Sequence, residues 1–148
     1  MSNTQVVVFK LNNEYYGIDI LKVREIGPYI ESTKIPNTPE YIEGIINFRG
    51  DIIPIINLWK TFMLEDNEGT KGTRIIIVNE GEKQLGIIVD EASEVIYINN
   101  EDIESPSDMI AGKNKRLVYG IGKVKDRMIV LLDLSELIND NIDIMEVV

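Results

Sequence analysis

Ile35–Leu58 reads IPNTPEYIEGIINFRGDIIPIINL, and its punctuation decides the fold. Pro36 and Pro39 each fix a backbone angle and bias Ile35 and Thr38 toward extended conformations, so the segment begins as a stiff approach. Pro39–Ile42 can form one helical turn, with proline in the favoured first position and Glu40 near the positive end. Two apolar runs follow, 44–48 and 52–56, on either side of Arg49-Gly50-Asp51. Such runs around a glycine-bearing connection predict a β-hairpin, with Gly50 supplying the positive φ. Pro54 interrupts the second run, which predicts an edge strand or a bulge there. The runs barely alternate, so both faces of the hairpin should be covered. One cation, Arg49, stands at the apolar tip.

Further β-type runs lie on either side. Gln5–Leu11 and Tyr15–Ile18 flank a turn at Asn12-Asn13-Glu14, and Asp19 can cap a short helical turn through Lys22. Val23–Ile30 is ambiguous: apolar residues at 20, 23 and 26 suit a helix, but Gly27-Pro28 ends any helix there. Leu58–Phe62 reads as a brief helix, and Leu64–Gly72 as a polar linker. Arg74–Asn79 and Gln84–Val89 predict a second hairpin around Glu80-Gly81-Glu82, with Val95–Asn99 another strand. Glu101–Lys115 reads as a loop with a helical turn. Leu117–Lys125 and Met128–Leu132 predict a third hairpin through Asp126-Arg127, and Ser135 caps a closing turn at Glu136–Ile138.

An internal repeat orders these elements. A shift of 69 residues brings Gly17-Ile18 onto Gly86-Ile87, Glu25 onto Glu94 and Ile26 onto Val95. A shift of 76 brings Gly44-Ile45 onto Gly120-Ile121, Ile53 onto Ile129, Leu58 onto Leu134 and Phe62 onto Ile138. Chance aligns apolar residues easily in an isoleucine-rich chain, but glycines less so. Two similar halves of many short strands predict a mainly β protein of two small barrels packed side by side. Each half alone would be marginal, because roughly 60 residues bury only about 60% of their unfolded surface. The halves should therefore share an interface.

Composition narrows the function. With 148 residues, 44% hydrophobic and 27% charged, the chain has the size and balance of one globular domain. No apolar run approaches the roughly 18 residues of a membrane span, and the N-terminus lacks a signal-peptide pattern, so no direct membrane insertion is expected. Neither cysteine nor histidine occurs, which removes thiolate chemistry, the commonest general base near neutral pH and the commonest transition-metal ligand. A net charge of -10 repels phosphate backbones, so no nucleic-acid partner is expected. The acidic groups Glu65-Asp66-Glu68, Asp90-Glu91-Glu94 and Glu101-Asp102-Glu104 lack the oxygen spacing around a glycine that calcium needs, and read as solvated faces. Gly81, Gly86 and Gly120-Ile121-Gly122 read as strand turns rather than a phosphate loop. No catalytic, metal-binding or cofactor-binding residue emerges.

The chain resembles the CheW-type chemotaxis coupling proteins. The pattern is carried by Ile35-Pro36-Asn37-Thr38-Pro39, Tyr41-Ile42-Glu43-Gly44-Ile45, Asn47-Phe48-Arg49-Gly50 and Ile53-Pro54-Ile55-Ile56-Asn57-Leu58. It continues through Tyr16-Gly17-Ile18, Val23-Arg24-Glu25-Ile26, Gly86–Asp90 and Asp126-Arg127-Met128, with Phe48 where the family usually has leucine. The resemblance implies one domain over 1–148, built of two five-stranded SH3-like barrel lobes between which the chain ends cross over. Lobe one is expected at about 14–64 plus the C-terminal end, and lobe two at about 5–13 and 70–141. It also implies a strand from about Arg24 onward, and a non-catalytic adaptor without cofactor. That adaptor would sit in the cytoplasm at membrane-associated receptor arrays, bridging chemoreceptor cytoplasmic helices to the regulatory domain of the histidine kinase CheA. The module of a CheV-like protein or of a kinase's own regulatory domain, and a β-barrel ligand-binding protein, stand as alternatives.

Candidate partner-binding residues are Val23, Glu25, Ile26, Ile45, Arg49 and Ile87. Glu25 and Arg49 interrupt apolar segments expected to pack together, so pairing is predicted, at the rim of an apolar groove. The plainer reading is a surface ion pair worth about 0–1 kcal/mol.

Overall fold

The computed structural model describes residues 2–62, 64–65, 71–106, 117–133 and 135. Asn3–Leu11 (β1) and Glu14–Asp19 (β2) pair around Asn12 and Asn13, both at positive φ (50° and 70°), the left-handed geometry that asparagine tolerates in tight hairpins. Asp19 then accepts a hydrogen bond from the Leu21 amide at 2.9 Å and caps a 3-10 turn at Ile20–Lys22. Val23–Pro28 (β3) follows as a strand. Ile42–Phe48 (β4) and Asp51–Asn57 (β5) form the central hairpin, and Asn57 caps a short helix, Leu58–Thr61 (α1). Arg74–Glu80 (β6) and Lys83–Val89 (β7) make the next hairpin. Glu91–Asn99 (β8), a 3-10 turn at Asn100–Asp102, Ile103–Glu104 (β9), Val118–Val124 (β10) and Arg127–Leu132 (β11) complete the described chain.

The strands make two sheets, in the orders β8-β1-β2-β11-β10-β9 and β3-β6-β7-β5-β4. The protein is mainly β, in two SH3-like lobes. Their registers repeat residue for residue. Parallel pairing sets Ile55 opposite Gly86 in one lobe and Leu131 opposite Gly17 in the other. A bulge follows Ile42 and another follows Val118, placing Gly44 opposite Ile55 and Gly120 opposite Leu131. The glycines have the same reason in each lobe: a Cβ at Gly86 would lie 2.5 Å from Ile55 Cδ1, and one at Gly17 3.0 Å from Leu131 Cδ2. The repeat seen in the glycines is therefore structural.

Sheet membership departs from the expected lobe boundaries. Glu14–Asp19 lies with Asn3–Leu11 and 91–132, whereas Arg74–Val89 lies with Val23–Pro28 and 42–57. The chain passes between lobes at Ile20–Lys22 and again between Val89 and Glu91, because β3 pairs with β6 and β8 pairs with β1. The first sheet also gains a sixth, two-residue strand, β9. Pro54 lies in neither an edge strand nor a bulge. Ile45 directs both its N–H and its C=O to Thr33 (2.8 and 2.9 Å), so its pairing with Pro54 is of the non-hydrogen-bonded kind, and parallel pairing with β7 begins only at Ile55. The missing proline donor breaks no ladder bond. At Pro39–Ile42 the chain makes a single turn, closed by Ile42 N–H to Pro39 C=O at 3.0 Å, without a helix. The closing turn expected at 136–138, and most of the linker and of the 101–115 loop, lie outside the described residues.

Two cores explain why the strands fail to alternate. Val6 and Val8 point into a small core with Ile98, Ile129 and Leu131. Val7, Phe9 and Leu11, on the other face of β1, join a larger cluster with Ile53, Ile55, Ile56, Ile76 and Ile87 of the second lobe. The seam between lobes is thus part of the main core. Phe9, Tyr16 and Phe62 stack across it, with centroids 5.8 and 6.0 Å apart, and Trp59 Nε1 donates to Asn12 Oδ1 at 3.1 Å.

Candidate docking surfaces

The tip of the central hairpin is a two-residue turn with both residues left-handed, Arg49 at φ 52° and Gly50 at φ 89°. Asn47 Oδ1 accepts from the Gly50 amide at 3.0 Å and closes it. Gly50 suits this backbone, but an arginine in the left-handed region is strained. The turn lifts the Arg49 side chain off the end of the strands and brings Nη2 to 2.8 Å from Glu25 Oε1 on β3. The pair sits at the surface: the Arg49 side chain is 66% exposed and that of Glu25 36%. The expected pairing is present, and at that exposure it is a surface ion pair, screened by solvent.

Around it stand residues the sequence reading did not single out. A bulge at Arg24 turns that side chain outward, where it meets Asp51 at 3.4 Å and donates to Gln84. The guanidiniums of both Arg24 and Arg49 lie over the Phe48 ring, each 5.3 Å from its centroid. Exposed Ile26 and Ile52 are on the same lobe, with Tyr29 and Ile30 just beyond β3. Of the other expected residues, Val23 is half-buried against the main core. Ile26 alternates to the face opposite Glu25. Ile45 is half-buried beside Thr33, on the other edge strand of the lobe. Ile87, at 0% exposure, is a core residue and presents no surface to a partner; its apolar run was indistinguishable from an exposed one by composition.

The first lobe carries a counterpart whose glutamate and apolar residues stand at the positions the repeat dictates, while its arginine, Arg127, falls at the position of Asp51. Glu94, the equivalent of Glu25, pairs with Arg127, which lies over the Tyr15 ring at 4.9 Å, with Lys10 over the same ring at 5.2 Å. The hydrogen bond from Arg127 holds the Glu94 carboxyl below the ordinary glutamate range. Val95 and Met128, the equivalents of Ile26 and Ile52, are likewise exposed, and Tyr97 with them. Lys125, at φ 56°, repeats the left-handed cation of Arg49 at the opposite tip. The register shift from Glu25 to Glu94 was the signal for this second face. Among the described residues no cluster of carboxylates is arranged to hold a metal, and no helix is long and apolar enough to cross a membrane.

Comparison with known proteins covers nearly the whole chain. Residues 5–141 match the family model described as CheW-like domain. The chain is 37% identical over 135 residues to a chemotaxis protein CheW of Klebsiella aerogenes, covering 91% of this chain and 81% of that protein. It is 38% identical over 137 residues to a chemotaxis protein CheW of Treponema pallidum, covering 90% and 81%. The crystal structure of a scaffolding protein CheW from Thermoanaerobacter tengcongensis superposes with a TM-score of 0.82 at 43% identity, covering 90% of this chain and 86% of that one.

Proposed function

This chain belongs to the CheW-like domain family and is a non-catalytic coupling adaptor of chemotaxis, and from that premise we propose how it couples. It holds the cytoplasmic helices of a chemoreceptor and the regulatory domain of the histidine kinase CheA at the same time, on different surfaces, in the cytoplasm at receptor arrays. The observation that carries this reading is the duplication of an exposed face. Each lobe carries exposed apolar side chains, Ile26 and Ile52 or Val95 and Met128, and a glutamate–cation pair whose glutamate lies on an edge strand. Exposed apolar residues rimmed by charge favour protein docking, and an edge strand favours a partner that is itself a sheet.

The surface around Glu25 and Arg49 is assigned to the receptor helix, with Ile26 on the reverse face of β3 and Ile45 on the opposite edge strand outside that contact. Ile87 lies in the core and takes no part in that contact. An amphipathic helix presents charged side chains along the margin of its apolar face, and the exposed pair orients it. The kinase domain takes lobe-end strands away from that face. The test is a titration of this protein with a receptor cytoplasmic fragment and with the kinase regulatory domain, separately and together. A ternary complex is expected. Mutual exclusion of the two partners would sink the reading, because a coupler forced to choose cannot couple.

A further inference from the structure

Phe48 lies where both cations of the second lobe's tip converge. We infer that Phe48 is a positioning residue of this docking surface: its ring seats the Arg24 and Arg49 guanidiniums, so that Arg49 meets an oxygen of the receptor helix already oriented. The inference rests on the receptor reading above and deepens it by naming the side chain through which Arg49 acts.

Three observations carry it. Arg49 leaves the backbone from a strained turn at the end of the hairpin, with its side chain largely in solvent, so among the described residues it is Glu25 and Phe48 that restrain it. Both guanidiniums are 5.3 Å from the Phe48 centroid, inside the roughly 6 Å at which a ring face attracts a cation. Phe48 is itself half-buried and packed against the main core, so the position of its ring is fixed by the lobe and passed to the arginines. Arg24 is restrained from a second side by Asp51 and Gln84. Arg49, by contrast, is ion-paired with Glu25 through Nη2, and its remaining N–H groups stay available to a partner's carboxylate or carbonyl oxygen. An aliphatic side chain at 48 would fill the inward half of the same space and offer no π-face. The Arg49 guanidinium would then have to be ordered at the moment of binding, which weakens affinity without removing a contact.

The test compares Phe48→Leu and Phe48→Tyr, each made in the natural chain and in the Arg49→Ala variant. Affinity for a receptor cytoplasmic fragment is one readout, and the Arg49 side-chain NMR signals, their order and ring-current shift, are the other. Phe48→Leu is expected to weaken binding about fivefold, the scale of ordering one long side chain, since Asp51 and Gln84 still hold Arg24, and to release the Arg49 signals. Phe48→Tyr, which keeps the ring, should restore both. In the Arg49→Ala background, Phe48→Leu should add nothing. An equal loss in that background would mean that Phe48 touches the partner or merely supports the fold, and would overturn the inference. So would unchanged affinity, or unchanged Arg49 signals, in Phe48→Leu. If the natural chain fails to bind the receptor fragment, the receptor reading falls, while the NMR comparison still decides whether Phe48 positions Arg49.

Discussion

Arg49 stands where the backbone would be better served by another residue. Both turn residues are left-handed, and an asparagine–glycine pair is the favoured sequence for such a turn. Arg49→Asn should therefore keep the hairpin and gain up to about 1 kcal/mol by relieving strain, while the Glu25 partner and the cation over Phe48 are lost. Urea denaturation beside receptor-fragment affinity separates the two effects. Retained or raised stability with weakened binding is expected, and unimpaired binding would remove Arg49 from the surface. Arg49→Ala and Glu25→Ala should each cost the fold less than about 1 kcal/mol, since the pair is exposed. The Glu94–Arg127 pair in the first lobe makes a pH prediction. Arg127 holds Glu94 below its ordinary value, so the folded pKa is lower than the unfolded one. The stabilisation is then fully present above the unfolded value and is lost as pH falls through the folded one. Arg127→Ala should lower the thermal-melting midpoint above about pH 4.5, and the deficit should close as pH falls below it, so that the two profiles converge in acid. Profiles that superimpose above that pH as well would show that the pair contributes nothing.

At the scale of strands, the glycines rank themselves. A methyl group at Gly44 would run into the carbonyl oxygen of Thr33, and the residue also sits at φ 153°. At Gly17 the obstacles are side-chain methyls, with Leu131 Cδ2 at 3.0 Å and Ile129 Cγ2 at 3.1 Å. Gly44→Ala should cost about 3 kcal/mol or more, by breaking the Thr33–Ile45 bridge, and Gly17→Ala about 1–2 kcal/mol through local repacking. Urea midpoints in the reverse order would show that the bulge in β4 is pliable. These elements were legible in sequence to the extent that their causes are local. Hairpin turns announce themselves through Asn12-Asn13, Arg49-Gly50 and Gly81, because a turn needs particular residues at particular places. The Glu25–Arg49 pair was legible because two charges interrupted otherwise apolar segments. Lobe membership was not, since it depends on parallel pairings of β5 with β7 and of β2 with β11, which join distant segments and leave no local mark. The burial of Ile87 was equally hidden, for an apolar run reads the same whether it lies beneath a surface or on it.

The whole molecule behaves as one unit if the seam between its lobes is as much core as either lobe's interior. Val7, Phe9, Leu11 and Ile18 of the first sheet share a cluster with the strands of the second, and the small cluster around Val6, Val8 and Ile98 is too few residues to sustain the first lobe alone. The chain also crosses between the lobes twice among the described residues, so neither can unfold without pulling strands from the other. The single tryptophan reports on this seam directly: Trp59 is buried, and its Nε1–H reaches Asn12 in the β1–β2 turn. Unfolding followed by Trp59 fluorescence should therefore coincide with unfolding followed by backbone circular dichroism, the test of a two-state transition. Asn12→Ala removes the acceptor and leaves the indole N–H buried without it, at a cost of about 1–3 kcal/mol. The same change deletes the Asn12 Nδ2 hydrogen bond to the Glu65 carbonyl, 2.7 Å long, so the effect should fall toward the upper end. Both probes should shift to the same lower midpoint. If fluorescence moved alone, the seam would be a contact between independently stable lobes, and the apolar faces of β1 would need another reason to be buried.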